Sequence, residues 1–464
     1  MKTSASALAR YIDDALATRA PRFEGSGESL DAAGLARHAD VVESALHAKD
    51  LTRDEPVHVV IGNRPGDIAA LLGVWRAVGV AVPVHAATPD AVREALQVRT
   101  GTRFVVDGKD VMQVSETVPP PRPLLDDAAL IVFTSGSTGE PKGVVIGHAR
   151  LAAKLDVLAR LLQLRAGDTV VLPLQLTFIF GIWVSLLAAN AGARLILLPR
   201  FSVQAIREHC AAGATVTACV PTMLRAIRAD EPFAAPALRL LLAGGEPLGA
   251  ALGQAIAERF ASAALYDLYG LTETGSCDFC MGPADQPMGF GAINAATPNV
   301  IYRIARDGEL QIKTPYGMLG YLDAPALTDA AFADGYFRTG DLARTRADGR
   351  VELIGRSKEI VSRGGQKIAP LEVDNLLAAH PDVAAVLCAG VPDEASGERL
   401  HAIVVRRPGA SVTEAALRAW AGERIERYKL PDAIHFHDAL PLGRTGKADR
   451  SAVKALVGER TLPS

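Results

Sequence analysis

The stretch from Phe133 to Gly143, FTSGSTGEPKG, decides how this chain is read. It follows a short apolar run, AALIVF (Ala128 to Phe133), which has the length and bounded character of a buried strand. Beyond that run stand three glycines, four hydroxyl side chains, one proline and one lysine, with no large apolar group among them. A loop of this composition has nothing to bury, so packing does not account for it. Glycines let the main chain come close to a guest and turn its N–H groups around an anion. Gly136 and Gly139 supply that freedom, Thr134, Ser135, Ser137 and Thr138 add hydroxyl donors, and Lys142 adds a positive charge. The guest that fits is a polyphosphate.

Two other loop types fail on spacing. A Walker A loop needs its lysine directly after glycine and before serine or threonine, whereas Lys142 follows Pro141 and precedes Gly143. A hydrolase elbow needs a glycine two residues to either side of its serine, and neither Ser135 nor Ser137 has that frame. A flexible linker would explain glycine and serine, but not a strand-like run before the loop and VVIGH (Val144 to His148) after it. The loop resembles the phosphate-binding signature of the adenylate-forming ligases, the superfamily of acyl- and aryl-CoA synthetases, luciferases and peptide-synthetase adenylation domains.

Further stretches resemble the same family in the same order. LRLLLAGGEPLG (Leu238 to Gly249) runs a strand into Gly244, Gly245 and Glu246, a turn that the resemblance assigns to adenine. YDLYGLTETG (Tyr266 to Gly275) implies Tyr269 as a stacking face for adenine, Gly270 beside the acyl phosphate and Thr272 as donor to the α-phosphate. It also implies Glu273 as the Mg²⁺ carboxylate, and a hard cation bound to substrate phosphates needs only one or two protein carboxylates. RTGDL, within Phe332 to Arg344, places Asp341 where the family accepts both ribose hydroxyls, a task suited to two acceptor oxygens. In VELIGRSKEIVSRGGQKIAPLEV (Val351 to Val373), Arg356 resembles the ribose-phosphate arginine and Lys358 the hinge residue, while Gly364 and Gly365 fall where pantetheine enters. LPLGRTGKADR (Leu440 to Arg450) sets Lys447 on a glycine-flanked loop as the catalytic lysine, joined by Lys142, Thr272 and Glu273. Taken singly, Glu273 is a polar loop residue, Asp341 a turn closer and Lys447 a solvated side chain. Their order after the phosphate loop gives them roles.

The resemblance also bears on the acid. VVLPLQLTFIFGIW (Val170 to Trp183) contains the segment where the family often sets a histidine or aromatic beside the acyl group, and here that position is Phe178. Phe178, Ile179 and Phe180 offer no carboxylate, and a buried unpaired ammonium is costly, which argues against an α-amino acid. The expected acid pocket takes Phe178 and Phe180 with Gly245 and Gly270, although Phe180 and Trp183 read equally well as plain core. The compact chain favours an aryl or short acyl group. The implied cofactors are ATP and Mg²⁺, with CoA or a carrier-protein phosphopantetheine as acceptor, so an acyl carrier protein is a possible partner.

Length and composition agree with an enzyme of this kind. At 464 residues the chain exceeds one domain. Its 49 Lys plus Arg against 52 Asp plus Glu advertise neither nucleic acid nor an anionic membrane as partner. The first residues, MKTSASALARYIDDALATR, read as an amphipathic helix rather than a signal peptide, and a sparse set of five cysteines fits a reducing, cytoplasmic setting. Cys277 and Cys280 form one CxxC without a second pair, so buried thiols are the expectation. Thr169 to Ala193 is uncharged, but Pro173, Gln175, Gly181 and Asn190 interrupt it, so strand, turn, buried helix and strand are expected rather than a membrane span.

From Leu30 to Asp107, helical segments (Leu30 to Lys49, Gly66 to Gly79, Pro89 to Arg99) alternate with strand-like ones (Val57 to Gly62, Val80 to Val84, Arg103 to Asp107). Such alternation means a parallel sheet covered by helices. The expected fold is α/β: a large N-terminal adenylation domain, residues 1–355, of helix-covered sheets with a small β-rich subdomain around Glu309 to Lys313. A mobile α+β domain, residues 356–464, would follow, turning near Lys358. Two alternatives stand beside this reading: an enzyme that adenylates without thiol transfer, and a non-catalytic nucleotide-binding scaffold. The scaffold predicts loss of a charged site residue, yet Lys142, Glu273, Asp341, Arg356 and Lys447 are all present.

Overall fold

The computed structural model describes residues 6–134, 141–293, 295–443 and 447–458. Two large sheets build the N-terminal part. One has seven strands in the order Gly320–Tyr321, Lys142–Gly147, Ala128–Thr134, Val80–His85, Pro56–Ile61, Phe104–Asp107 and Asp110–Gln113. The other has nine, with Ala264–Tyr269, Leu240–Gly244, Val216–Cys219, Thr169–Leu172, Arg194–Leu197 and Arg22–Gly25 in parallel succession at its centre. Parallel strands are covered on both faces by their crossovers and therefore read as unbroken apolar runs. Pro56–Ile61 and Leu240–Gly244 are indeed buried at every position.

Helices fill the space between the sheets. A single core takes Leu8, Leu35, Trp75, Leu158 and Ile182 from five helices, Val59 and Leu130 from one sheet, and Leu172 and Leu242 from the other. The uncharged segment resolves as expected into Thr169–Leu172, the helix Ile179–Ala191 and Arg194–Leu197. That helix has 13 residues, about 20 Å of rise, and its apolarity is explained by burial between two sheets. Among the described residues no helix is long and apolar enough to cross a membrane. Cys277 and Cys280 lie in the same core, and all five cysteines are free and buried.

One boundary differs from the periodicity. Leu30 belongs to the strand Glu28–Asp31, and the helix begins only at Ala32, because the Asp31 side chain caps it by accepting from the Gly34 N–H at 2.6 Å. The strand pairs with Arg22–Gly25 as a hairpin that joins the nine-stranded sheet beside Arg194–Leu197.

The β-rich subdomain appears as the sheet Ile301–Ile304, Glu309–Lys313, Tyr336–Thr345 and Phe332–Ala333, with Val351–Arg356 added alongside Tyr336–Thr345. The C-terminal part has its own sheet, from Val361–Arg363 to Ala433–Phe436, and its own core of Val361, Val373, Cys388, Leu400, Val404 and Leu417. A separate core is the physical mark of a separate domain. The link between the two sheets is one short turn, Ser357–Glu359, which contains Lys358.

Candidate active site

Leu240–Gly244 and Ala264–Tyr269 lie side by side in parallel, with Gly244 opposite Leu268. Their carboxyl ends bring Gly244, Gly245 and Glu246 together with Tyr269 and Gly270 at one sheet edge, where open parallel sheets receive ligands. Gly245 takes φ +86°, a left-handed conformation that costs glycine nothing. Gly270 is required for space, since a Cβ there would stand 2.3 Å from the Cys277 backbone nitrogen. The Glu246 carboxylate accepts from Thr222 Oγ1 at 2.9 Å and lies 3.4 Å from the Arg225 guanidinium. It anchors the turn and leaves Gly245 exposed.

Lys447 arrives at this turn from the far end of the chain. Its Nζ donates to the Gly245 carbonyl at 2.9 Å. Desolvation pulls its ammonium below the ordinary lysine range; Glu246 opposes that shift and Arg356 adds to it.

Asp341 and Arg356 face each other across antiparallel strands, with Arg356 Nε 2.9 Å from Asp341 Oδ1. The Tyr269 hydroxyl donates to Asp341 Oδ2 at 2.7 Å. The Asp341 side chain is only 8% exposed, so these two donors keep a buried carboxylate from being stranded. Burial, and then the Asp341 charge, holds the Tyr269 hydroxyl firmly protonated by raising its pKa well above the usual range.

Thr272 and Glu273 sit in the short helical turn Thr272–Thr274. Glu273 Oε1 accepts from the Tyr321 hydroxyl at 3.2 Å, and Lys142 Nζ stands 5.0 Å from the centroid of the Tyr321 ring. One buried tyrosine thus ties the lysine of the phosphate loop to the expected metal carboxylate. Tyr321 comes from a two-residue strand that pairs with Lys142–Gly147. Sequence reasoning missed it because so short an element carries no periodicity. Ser135, Gly136, Ser137, Thr138 and Gly139 lie outside the described residues. Thr134 and Lys142, on either side of that segment, are directly opposed as the last pair of an antiparallel hairpin.

Phe178 caps the helix Ile179–Ala191 and is 36% exposed. Phe180 stacks on Trp183 with ring centroids 5.0 Å apart, and its Cε1 lies 3.3 Å from where a Cβ on Gly244 would stand. Phe180 is therefore both core and neighbour of the glycine turn. Trp183 Nε1 donates to Ser276 Oγ at 3.3 Å. Gly364 and Gly365, at φ +55° and +82°, form the tip of the hairpin Val361–Arg363 to Gln366–Ile368, and a Cβ on either would meet nothing within 4 Å. Of the C-terminal candidates it is Lys447 that reaches the Gly245 turn.

The fold and this site define an AMP-forming acid–thiol ligase. Residues 93–322 match the AMP-binding enzyme family and residues 372–447 match the AMP-binding enzyme C-terminal domain. The chain is 33% identical to a sulfoacetate–CoA ligase of Cupriavidus necator over 83% of its own length and 76% of that protein's. It is 31% identical to the fatty acid–[acyl-carrier-protein] ligase ScoC of Streptomyces coeruleorubidus, covering 73% of this chain and 69% of that one. Its fold superposes on ATP-bound MatB from Rhodopseudomonas palustris with a TM-score of 0.86 at 24% identity, over 99% of this chain and 100% of that one. The chain belongs to the AMP-binding, adenylate-forming ligase superfamily.

Proposed function

We propose that this enzyme activates an apolar or aromatic carboxylic acid as its acyl adenylate and then transfers the acyl group to the thiol of CoA or a carrier-protein phosphopantetheine. The observation that carries the acid class is the aromatic side of the Gly244 turn. Phe180 stands there with Trp183 stacked on it, Phe178 lies two residues before Phe180, and no residue from Thr169 to Ala193 is charged. An α-ammonium or a second anion buried against that segment would find no charged partner within it, and an unpaired buried charge is costly. For that reason sulfoacetate, the acid named for one relative, is not carried over to this chain.

In the first half-reaction a carboxylate oxygen attacks the α-phosphorus of ATP, and the bond to pyrophosphate breaks. Two anions must meet, so positioning and charge neutralisation do most of the work. Asp341, itself held by Arg356 and Tyr269, fixes the ribose, and Gly245 and Tyr269 flank the adenine. Thr272 and the loop from Thr134 to Lys142 donate to the phosphates, while the Lys447 ammonium balances the charge that builds between carboxylate and phosphate. Glu273, one carboxylate beside a neutral phenol, is the residue that would hold Mg²⁺, a hard cation that draws its other ligands from phosphate and water and would supply further neutralisation.

Tyr321→Phe removes the hydroxyl that orients Glu273 and keeps the ring. The Mg²⁺ concentration giving half-maximal pyrophosphate release is expected to rise about three- to tenfold, the net worth of one ordinary hydrogen bond. An unchanged Mg²⁺ dependence would remove Tyr321 from that role.

Lys447 occupies the place a thiol must reach, so the second half-reaction requires the C-terminal domain to turn. We place the division between residues 1–355 and 356–464, with Lys358 in the Ser357–Glu359 turn absorbing the backbone change and bringing Gly364 and Gly365 to the pantetheine tunnel. Lys358→Pro, which fixes φ, is expected to slow acyl transfer from a supplied adenylate by about tenfold or more while pyrophosphate release persists. Normal transfer in that variant would move the hinge elsewhere.

The reading as a whole is tested with a panel of carboxylates, scored by pyrophosphate release with ATP and Mg²⁺ and then by transfer to CoA or to a phosphopantetheinylated carrier protein. Aryl and short apolar acids are expected to lead. Turnover confined to dianionic or amino acids would overturn the acid class. Release without transfer to either thiol would overturn the second half-reaction.

A further inference from the structure

Directly after the Thr272–Thr274 turn the chain makes three successive left-handed residues, Gly275, Ser276 and Cys277, at φ +85°, +66° and +49°. Side-chain-bearing residues hold that conformation only where their surroundings over-determine it. Here the surroundings include a buried charge. Lys154, from the helix His148–Leu162, is 1% exposed, and its Nζ donates to the Cys277 carbonyl at 2.7 Å and to Thr297 Oγ1 at 3.1 Å. The same nitrogen lies 5.1 Å from the centroid of the Tyr316 ring. The next residue, Asp278, is fully buried; its Oδ2 accepts from Thr274 Oγ1, and its Oδ1 has no hydrogen-bond partner among the described residues. Burial pushes the Asp278 pKa up to about 6, and Lys154 is the first of the groups that pull it back.

An apolar side chain would fill the Lys154 position without any desolvation penalty, and replacing buried ions by apolar groups is often neutral or stabilising. Packing therefore gives no reason for a lysine. Its contacts do. The Cys277 carbonyl that Lys154 holds comes directly after a loop closed by the Ser276 N–H, which donates to the Leu271 carbonyl at 2.8 Å. Thr272 and Glu273 lie inside that closure. We propose that Lys154 is a positioning residue for the ligase reaction: its buried ammonium locks the left-handed turn Gly275 to Cys277 and thereby sets Thr272 and Glu273 against the phosphates. The proposal rests on the phosphate-side roles given to those two residues above.

The test compares Lys154→Met, the charge-neutral pair Lys154→Met with Asp278→Asn, and Glu273→Ala, using ATP, Mg²⁺ and the fastest acid of the panel, well below each variant's Tm. Lys154→Met is expected to lower kcat for pyrophosphate release by about ten- to a hundredfold, with KM for ATP changed less than about threefold. In the neutral pair no unpaired buried charge remains, so Tm should recover towards the wild type while kcat stays low. If kcat recovers together with Tm, Lys154 is merely structural and the proposal falls; it falls equally if folded Lys154→Met turns over within about threefold of the wild type. Should Lys154→Met not fold, the neutral pair alone decides by its kcat. Glu273→Ala separates the two levels: if it too is fully active, the role of Glu273 is wrong, whereas loss there with normal Lys154 variants overturns only the positioning role.

Discussion

Lys447→Ala is expected to lower the rate of pyrophosphate release by about 10²- to 10³-fold, the usual consequence of removing one preorganised donor from a charge-building transition state. Its Nζ sits 2.9 Å from the carbonyl of Gly245, in the turn that the proposed reading sets against the nucleotide and the acid. The residue that replaces it leaves ATP binding largely to Asp341, Arg356 and the phosphate loop, so KM for ATP should change much less than kcat. Transfer from a chemically supplied acyl adenylate to the thiol should proceed at the wild-type rate, because on the proposed reading the domain turn that admits the thiol would withdraw Lys447. Single-turnover measurements of the two halves separate these outcomes. Equal loss in both would mean that Lys447 serves the site in one fixed arrangement, and the division of labour between two domain positions would be wrong.

Asp341→Ala should produce the second large effect, a rise in KM for ATP of about a hundredfold or more, since two hydrogen bonds from ribose hydroxyls to a charged acceptor would disappear together. The change also strands its neighbours. Tyr269 donates to Asp341 at 2.7 Å and Arg356 at 2.9 Å, and without the carboxylate a partly buried phenol loses its acceptor. Melting temperature should therefore fall as well, by the equivalent of about 1–3 kcal/mol for a buried donor left unsatisfied. Asp341→Asn retains one acceptor oxygen and should lie between the two. An ATP KM unaffected by Asp341→Ala, in folded protein, would take the ribose away from this residue.

The family motifs were legible because binding phosphate, ribose or metal, the roles proposed for them, demands particular residue types at contiguous positions. FTSGSTGEPKG, YGLTETG, RTGDL and GRTGK are local solutions to local chemistry. The alternation of apolar strands with amphipathic helices was legible for a similar reason: periods of two and of about 3.6 residues are properties of the backbone. Even there, Asp31 looked like part of a helix although its side chain begins one, because a cap differs from a first turn only in geometry.

Tertiary structure alone decided which of these pieces meet. Tyr321 reaches Glu273 across 48 residues, Lys154 reaches Cys277 across 123, and Lys447 reaches Gly245 across 202. No periodicity or spacing records such contacts, because they arise from the order in which strands enter a sheet and from the angle at which one domain rests on another. Phe180 illustrates the limit most simply. As a residue in an apolar run it reads as core; only the register of the sheet ending at Gly244 shows that the same ring also borders the site. The sequence by itself therefore determined the reaction class and the motifs by which the family is recognised. The structure decided how those residues are held, since the partners that hold them come from distant elements brought together by burial.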